Sequence, residues 1–205
     1  MRIEPARGIE DVLHIYPDLH EDERGYFYEV FNEGEFNEKT GGKYDFHALQ
    51  ENESKSSKGV FRGLHFQKPP YEQAKLVRVL KGSVVDYAVD IRKDSPTFGK
   101  CVFACLTEDN RQQFFIPRGF AHGFLVLSDI AVFEYKCDNY YDKESEGGIR
   151  WDDDEIKIVT CFPSDIGLKW HIEHTAQASV EGEPPEELLI LSEKDKNRIT
   201  TLKDL

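Results

Sequence analysis

Between Lys75 and Cys137 the chain is cut into short runs rich in β-branched and aromatic residues, each closed by residues that turn the backbone. The runs are Lys75–Leu80, Ser83–Arg92, Cys101–Leu106, Gln112–Ile116, Phe124–Leu127 and Ala131–Cys137. Their side chains suit the pleated, half-buried surface of a strand. Between them stand Lys81-Gly82, Ser95-Pro96-Thr97-Phe98-Gly99, Pro117-Arg118-Gly119 and Ser128-Asp129, where Gly, Pro, Asp and Ser supply turn conformations. Many short strands at this spacing imply an all-β sandwich or barrel rather than alternating β and α units.

Helices have little room in such a chain. Asn32 followed three positions later by Glu35 has the form of a capping box, and Gly41-Gly42 would end that helix; Ser192 with Asp195 forms a second box. Ser164–Glu187, polar and weakly periodic with Pro184-Pro185 near its end, reads as a surface excursion. At 205 residues and 39% hydrophobic, the chain is long enough for one well-filled domain and short for two, so a single domain over residues 1–205 is expected.

The net charge of −13 argues against nucleic acid or an anionic membrane as partner, and any anionic ligand must be held by a few locally placed bases. Arg24, Arg62 and Lys75 are candidates. The four cysteines, Cys101, Cys105, Cys137 and Cys161, include no C-x-x-C pair and read as reduced core residues. The first residues lack a signal peptide's apolar run, and no stretch approaches transmembrane length, which points to the cytoplasm.

Two histidines stand out within this strand pattern. Arg62-Gly63-Leu64-His65-Phe66-Gln67 places one after what reads as a glycine turn, and Pro117-Arg118-Gly119-Phe120-Ala121-His122 places the other after a Pro-x-Gly-x-x-His corner. These are the parts of a cupin-type jelly-roll pocket, where facing strands aim side chains into one cavity. A metal-binding cupin would add a second histidine two positions after the first and a glutamate a few residues on. Gln67 and the stretch ending in Lys75 stand there instead, so no metal and no redox cofactor is expected. Two imidazoles, an amide and an ammonium suit proton transfer beside an enolate.

The order of motifs along the chain carries a resemblance. Asp22-Glu23-Arg24-Gly25, Gln50-Glu51-Asn52-Glu53-Ser54, the His65 motif, Lys75-Leu76-Val77-Arg78, Asp90-Ile91-Arg92, Ser95 to Gly99, Gly119 to Phe124, Tyr135-Lys136 and Leu191-Ser192-Glu193-Lys194-Asp195 follow one another colinearly. Together they resemble the dTDP-4-dehydrorhamnose 3,5-epimerase family, with Glu51 where that family commonly has Asp and with a longer 164–187 segment. The resemblance implies a homodimer whose substrate is a dTDP-4-keto-6-deoxy sugar. It implies Asp195 as the carboxylate on His65, and Arg24, Glu29, Gln50, Glu51, Asn52, Arg62, Glu146 and Lys194 as substrate contacts. Phe27 and Tyr141 would offer aromatic surface, and Arg24 would act in a neighbouring subunit's pocket.

The chemistry asked of such a site is proton exchange at the two carbons flanking a ketone, which needs a base, an acid across the ring and a cation at the oxygen. His65 fits the base, since imidazole ordinarily titrates at about pH 6.5. Tyr135 fits the acid, Lys75 the cation, and His122 a group holding the sugar carbonyl. Plainer readings stand beside these: Asp195 as the helix-box partner of Ser192 alone, Tyr135 as a cross-strand packing residue, Lys75 as a solvated charge, and Glu29 as one residue of an alternating strand. A single-centre epimerase on a related dTDP-4-keto-deoxysugar, a metal-dependent oxygenase and a non-catalytic sugar-nucleotide binder are the competing functions.

Overall fold

The computed structural model describes residues 1–158 and 189–205. The 164–187 excursion and Cys161 lie outside the described residues; Cys101, Cys105 and Cys137 are free thiols. Two six-stranded sheets face one another. The first runs, in spatial order, β1 (Arg2–Ala6), β2 (Ile9–Tyr16), β10 (Gln113–Ile116), β7 (Lys75–Lys81), β12 (Ile130–Cys137) and β5 (Gln50–Ser57). The second runs β13 (Glu146–Gly148), β6 (Phe61–Gln67), β11 (Phe120–Val126), β8 (Ser83–Asp90), β9 (Lys100–Thr107) and β14 (Lys157–Ile158). All neighbours are antiparallel except β14 on β9, which makes the cupin-type jelly roll expected from the two histidine motifs, within the sandwich or barrel that the strand pattern implies. A separate hairpin, β3 (His20–Asp22) and β4 (Gly25–Phe27), projects with every residue exposed.

The period-two alternation of strands decides what lies between the sheets. Val77 and Val79 of β7, Phe133 of β12, Val84 and Ala88 of β8, and Phe124 and Val126 of β11 form one buried cluster. Truncating a fully buried side chain such as Phe133 should cost about 3–5 kcal/mol. The same alternation carries Lys75 and Tyr135 on the inner rows of the first sheet, and Asp86 and His122 on those of the second, toward one end of this core. On the outer face of the first sheet, Leu13, Leu76 and Phe115 pack under Phe36 of helix α1 (Glu33–Lys39). The helix begins as its sequence predicts, with the Asn32 side chain accepting from Glu35 N at 3.0 Å, and Gly41 and Gly42 follow its end in the left-handed region.

One local reading needs correction. Gly63 is not in a turn before His65 but inside β6, where its φ is +144° and an added Cβ would lie 2.6 Å from Gly123 Cα on β11. The pairing shifts at this close approach: His65 faces His122 and Arg62 faces Phe124, so β6 carries one extra residue. Such a bulge re-aims side chains. In a regular strand Arg62 and His65, three apart, would point to opposite faces; here both line the same pocket.

Candidate active site

The pocket at the end of the core has a volume of about 440 Å³. His65, Arg62 and His122 reach it from the second sheet, Lys75 and Tyr135 from the first. Ser192 and Asp195 arrive with helix α2 (Glu193–Lys196). That helix, whose Asp195 lies 130 residues from His65 in sequence, is held in place by hydrogen bonds of the segments on either side of it. Phe61 N donates to Ile190 O at 3.1 Å, Ile190 N donates to Gly59 O at 2.9 Å, and Leu202 N donates to Asp153 Oδ2 at 2.6 Å.

His65 Nε2 lies 2.6 Å from Asp195 Oδ1. An ionised carboxylate only accepts, so Nε2 carries the hydrogen and Nδ1 is left with its lone pair. Ser192 Oγ donates to the other carboxylate oxygen at 2.8 Å and accepts from Asp195 N at 3.1 Å, so Ser192 caps the helix and Asp195, in its first turn, is the partner of His65. Burial raises the pKa of Asp195, but the hydrogen bonds from His65 and Ser192 and the Arg198 charge outweigh it, and the net shift is downward. Beside this pair stands another: His122 Nε2 is 2.8 and 3.0 Å from the two oxygens of Asp86. Burial pushes the Asp86 carboxyl up and the His122 imidazole down, so both are drawn toward their neutral forms around one shared proton.

Across the pocket, desolvation lowers the pKa of Lys75, opposed by Cys137, Asp86 and Glu146. Its Nζ sits 5.8 Å from the centre of the Tyr135 ring. Burial raises the Tyr135 phenol, keeping its proton available. The floor is aromatic: Phe124 stacks on Phe133 at 4.2 Å, and His122 lies parallel to Phe133 at 6.2 Å.

The remaining predicted residues are placed less uniformly. Arg62 Nε donates to Ser56 Oγ at 3.0 Å at the pocket wall. Gln50 and Asn52 share the half-buried face of β5 and bond to each other at 2.9 Å. Glu146 of β13 pairs with Lys194 and accepts from Tyr141 OH at 2.9 Å. Glu51 lies on the exposed face of β5, paired with Lys136. Arg24, at the tip of the projecting hairpin, pairs with Asp22 and is 85% exposed, and Glu29 is exposed beyond β4; of these predicted contacts only Arg62 lines the pocket itself. Sequence reading missed Asp86, although an isolated carboxylate in Val84-Val85-Asp86-Tyr87 sits in register with Phe124 on β11, next to His122. Among the described residues no group of three or more His, Cys, Asp or Glu side chains is arranged to hold a metal ion.

Fold and site together define a jelly-roll enzyme of the cupin type, with a histidine–carboxylate pair on one wall of its pocket and a lysine and a tyrosine on the other. The chain belongs to the dTDP-4-dehydrorhamnose 3,5-epimerase family, whose model matches residues 6–204; it is an isomerase of that family. It is 55% identical over 160 residues to the dTDP-4-dehydrorhamnose 3,5-epimerase of Escherichia coli K12, covering 78% of this chain and 84% of that protein. The crystal structure of the Elizabethkingia anophelis enzyme of the same name superposes with a TM-score of 0.79 at 47% identity, covering 100% of this chain and 97% of that one. The dTDP-6-deoxy-D-glucose-3,5-epimerase of Legionella pneumophila, solved in complex with dTDP-4-keto-L-rhamnose, gives a TM-score of 0.80 at 40% identity, covering 98% and 93%.

Proposed function

We propose that this pocket inverts C3 and C5 of dTDP-4-dehydro-6-deoxy-D-glucose to give dTDP-4-dehydro-L-rhamnose. The observation that carries the reading is the opposition of the His65–Asp195 pair to Lys75 and Tyr135 across one cavity. His65 Nδ1 takes the proton beside the C4 ketone, the imidazolium is held by Asp195, and the electron pair moves onto the carbonyl oxygen beside Lys75. Tyr135 returns a proton to the opposite face of the carbon, and that return inverts it. His122, fixed by Asp86, holds the carbonyl side of the sugar.

Arg62 at the pocket wall, with Gln50, Glu51, Asn52, Glu146 and Lys194 outside it, contacts the nucleotide sugar, with Tyr141 as aromatic surface. Arg24 and Glu29 act from the exposed arm, which also carries Tyr26 and Phe27 at 57% and 72% exposure. Apolar area of that kind on a projecting hairpin fits a second copy, so the assembly is a homodimer in which Arg24 reaches the partner's pocket. The single-domain enzyme works without a cofactor in the cytoplasm; no described helix is long and apolar enough to cross a membrane.

Proton NMR of the 4-keto sugar nucleotide in heavy water tests the reaction. Solvent deuterium should enter at C3 and C5 with formation of the L-rhamno product. Exchange at one carbon alone would replace this reading with a single-centre epimerase, and no exchange would overturn it. Tyr135→Phe tests the acid: exchange should persist in substrate of unchanged configuration while epimerised product falls by about 100-fold or more. Product formed at the normal rate would remove Tyr135 from that role.

A further inference from the structure

Behind Asp195 lies a charge that the proposed chemistry does not use. Arg198 follows α2, and its side chain is 12% exposed. Its Nε and Nη2 are buried with no hydrogen-bond partner among the described residues. A buried guanidinium is costly unless a negative charge compensates it. The carboxylate nearest to hand is Asp195, whose Oδ1 is 3.8 Å from Arg198 Nη2. That oxygen is the one bonded to His65 Nε2. Room for the guanidinium comes from Gly148, where a Cβ would lie 2.5 Å from Arg198 Cζ. Gly148 is paired directly with His65 across β13 and β6, so a glycine places the cation beneath the pair.

We propose that Arg198 is a positioning residue that sets the basicity of the His65–Asp195 pair. Its charge holds Asp195 ionised and draws on the oxygen that would otherwise give all its field to His65, so the imidazole takes up a proton less readily. A base locked in its protonated form cannot abstract; Arg198 restrains that outcome. Glu146 and His122 lie within the field of His65 itself, but besides His65 the only charge among the described residues acting on Asp195 is that of Arg198. Lys194 and Glu146 are paired with each other, His122 is occupied by Asp86, Ser192 is neutral and bonded to Asp195, and Lys75 and Arg62 face the cavity from the pocket walls.

The inference rests on the dyad described above, and its test does not need turnover. The titration of His65 is followed by NMR in the full-length protein, assigned by the signal lost in His65→Asn, for wild type, Arg198→Gln and Arg198→Lys. Arg198→Gln should move the His65 midpoint upward by about one pH unit, the effect of one nearby charge at partly screened distance. Arg198→Lys, which keeps the charge, should stay within about a third of a unit of wild type and remain informative if the glutamine variant folds poorly. An unchanged midpoint in Arg198→Gln, or an equal shift in both variants, overturns the proposal, because a merely structural arginine would do the same. The acid limb of kcat/KM, measured alongside, should follow the NMR midpoint. A midpoint that moves while the limb does not leaves Arg198's effect intact and removes His65 as the base.

Discussion

The molecule builds the same pair of residues twice, side by side, and makes them differently. His65 and His122 face each other across β6 and β11, and each is bonded to an aspartate. Asp86 is fully buried on the strand next to His122, and burial drives that pair toward neutrality. Asp195 comes from a capped helix near the surface, with Ser192 and Arg198 supporting its charge, and its pKa falls. Its histidine is 31% exposed, against 8% for His122. The same two residue types thus sit in opposite electrostatic settings, set by the number of charge-supporting neighbours and the distance to solvent.

The strongest attempt to break this contrast is to replace each histidine by asparagine. His65→Asn should lower deuterium exchange at C3 and C5 by roughly 100-fold to 10,000-fold, the usual worth of a general base. His122→Asn, which can still bond to Asp86, should lower it by about 10-fold through a looser carbonyl. Equal losses in heavy-water exchange would mean that the two pairs do the same work.

A smaller difference separates the carboxylate of Asp195 from its place in the helix. Asp195→Asn should reduce exchange by about 100-fold or more, because the imidazolium loses its counter-charge. Ser192→Ala removes the cap and should cost about 1 kcal/mol of stability with exchange within a few-fold of wild type. Similar modest losses in both, read by exchange and by urea midpoint, would return Asp195 to a structural part.

The smallest effect is in stability against pH. Asp195 is depressed, so its contribution is present above the unfolded carboxylate value of about 4 and is lost as pH falls through the folded value below that. Asp86 is raised, so it costs stability at neutral pH, and that cost fades as pH falls from its folded value toward about 4. Urea midpoints of Asp195→Asn and Asp86→Asn against wild type should therefore diverge in windows on opposite sides of about pH 4. Changes in the same window would dissolve the distinction.

Much of this was legible in the sequence because local rules govern it. Runs of β-branched residues closed by turn residues gave β7 to β12 with ends shifted by a few residues, and both helix caps formed where Asn32 and Ser192 stand. His65, Lys75, Tyr135 and Asp195 meet in one pocket as their motifs implied. What was not legible depends on pairing across the sheets. Gly63 looks like a turn residue until Gly123 is known to lie against it. Asp86 looks like a break in an apolar strand until β11 is laid beside it, and Arg198 looks like a surface charge until Gly148 is seen to make room for it. The outward face of Glu51 and the exposure of Arg24 likewise follow from strand pairing rather than from local composition.

The separation of His65 from its aspartate has a consequence in time. A contact between residues 130 apart in sequence is among the entropically costliest to close, and chains dominated by such contacts fold slowly. Because Ile190 is seated by hydrogen bonds to Gly59 and Phe61, the hydrogen bond to Asp195 is expected to form after β6. Refolded protein should thus regain its strand signal before it regains catalysis, and the lag between the two measures how long the last stretch of chain searches for its place.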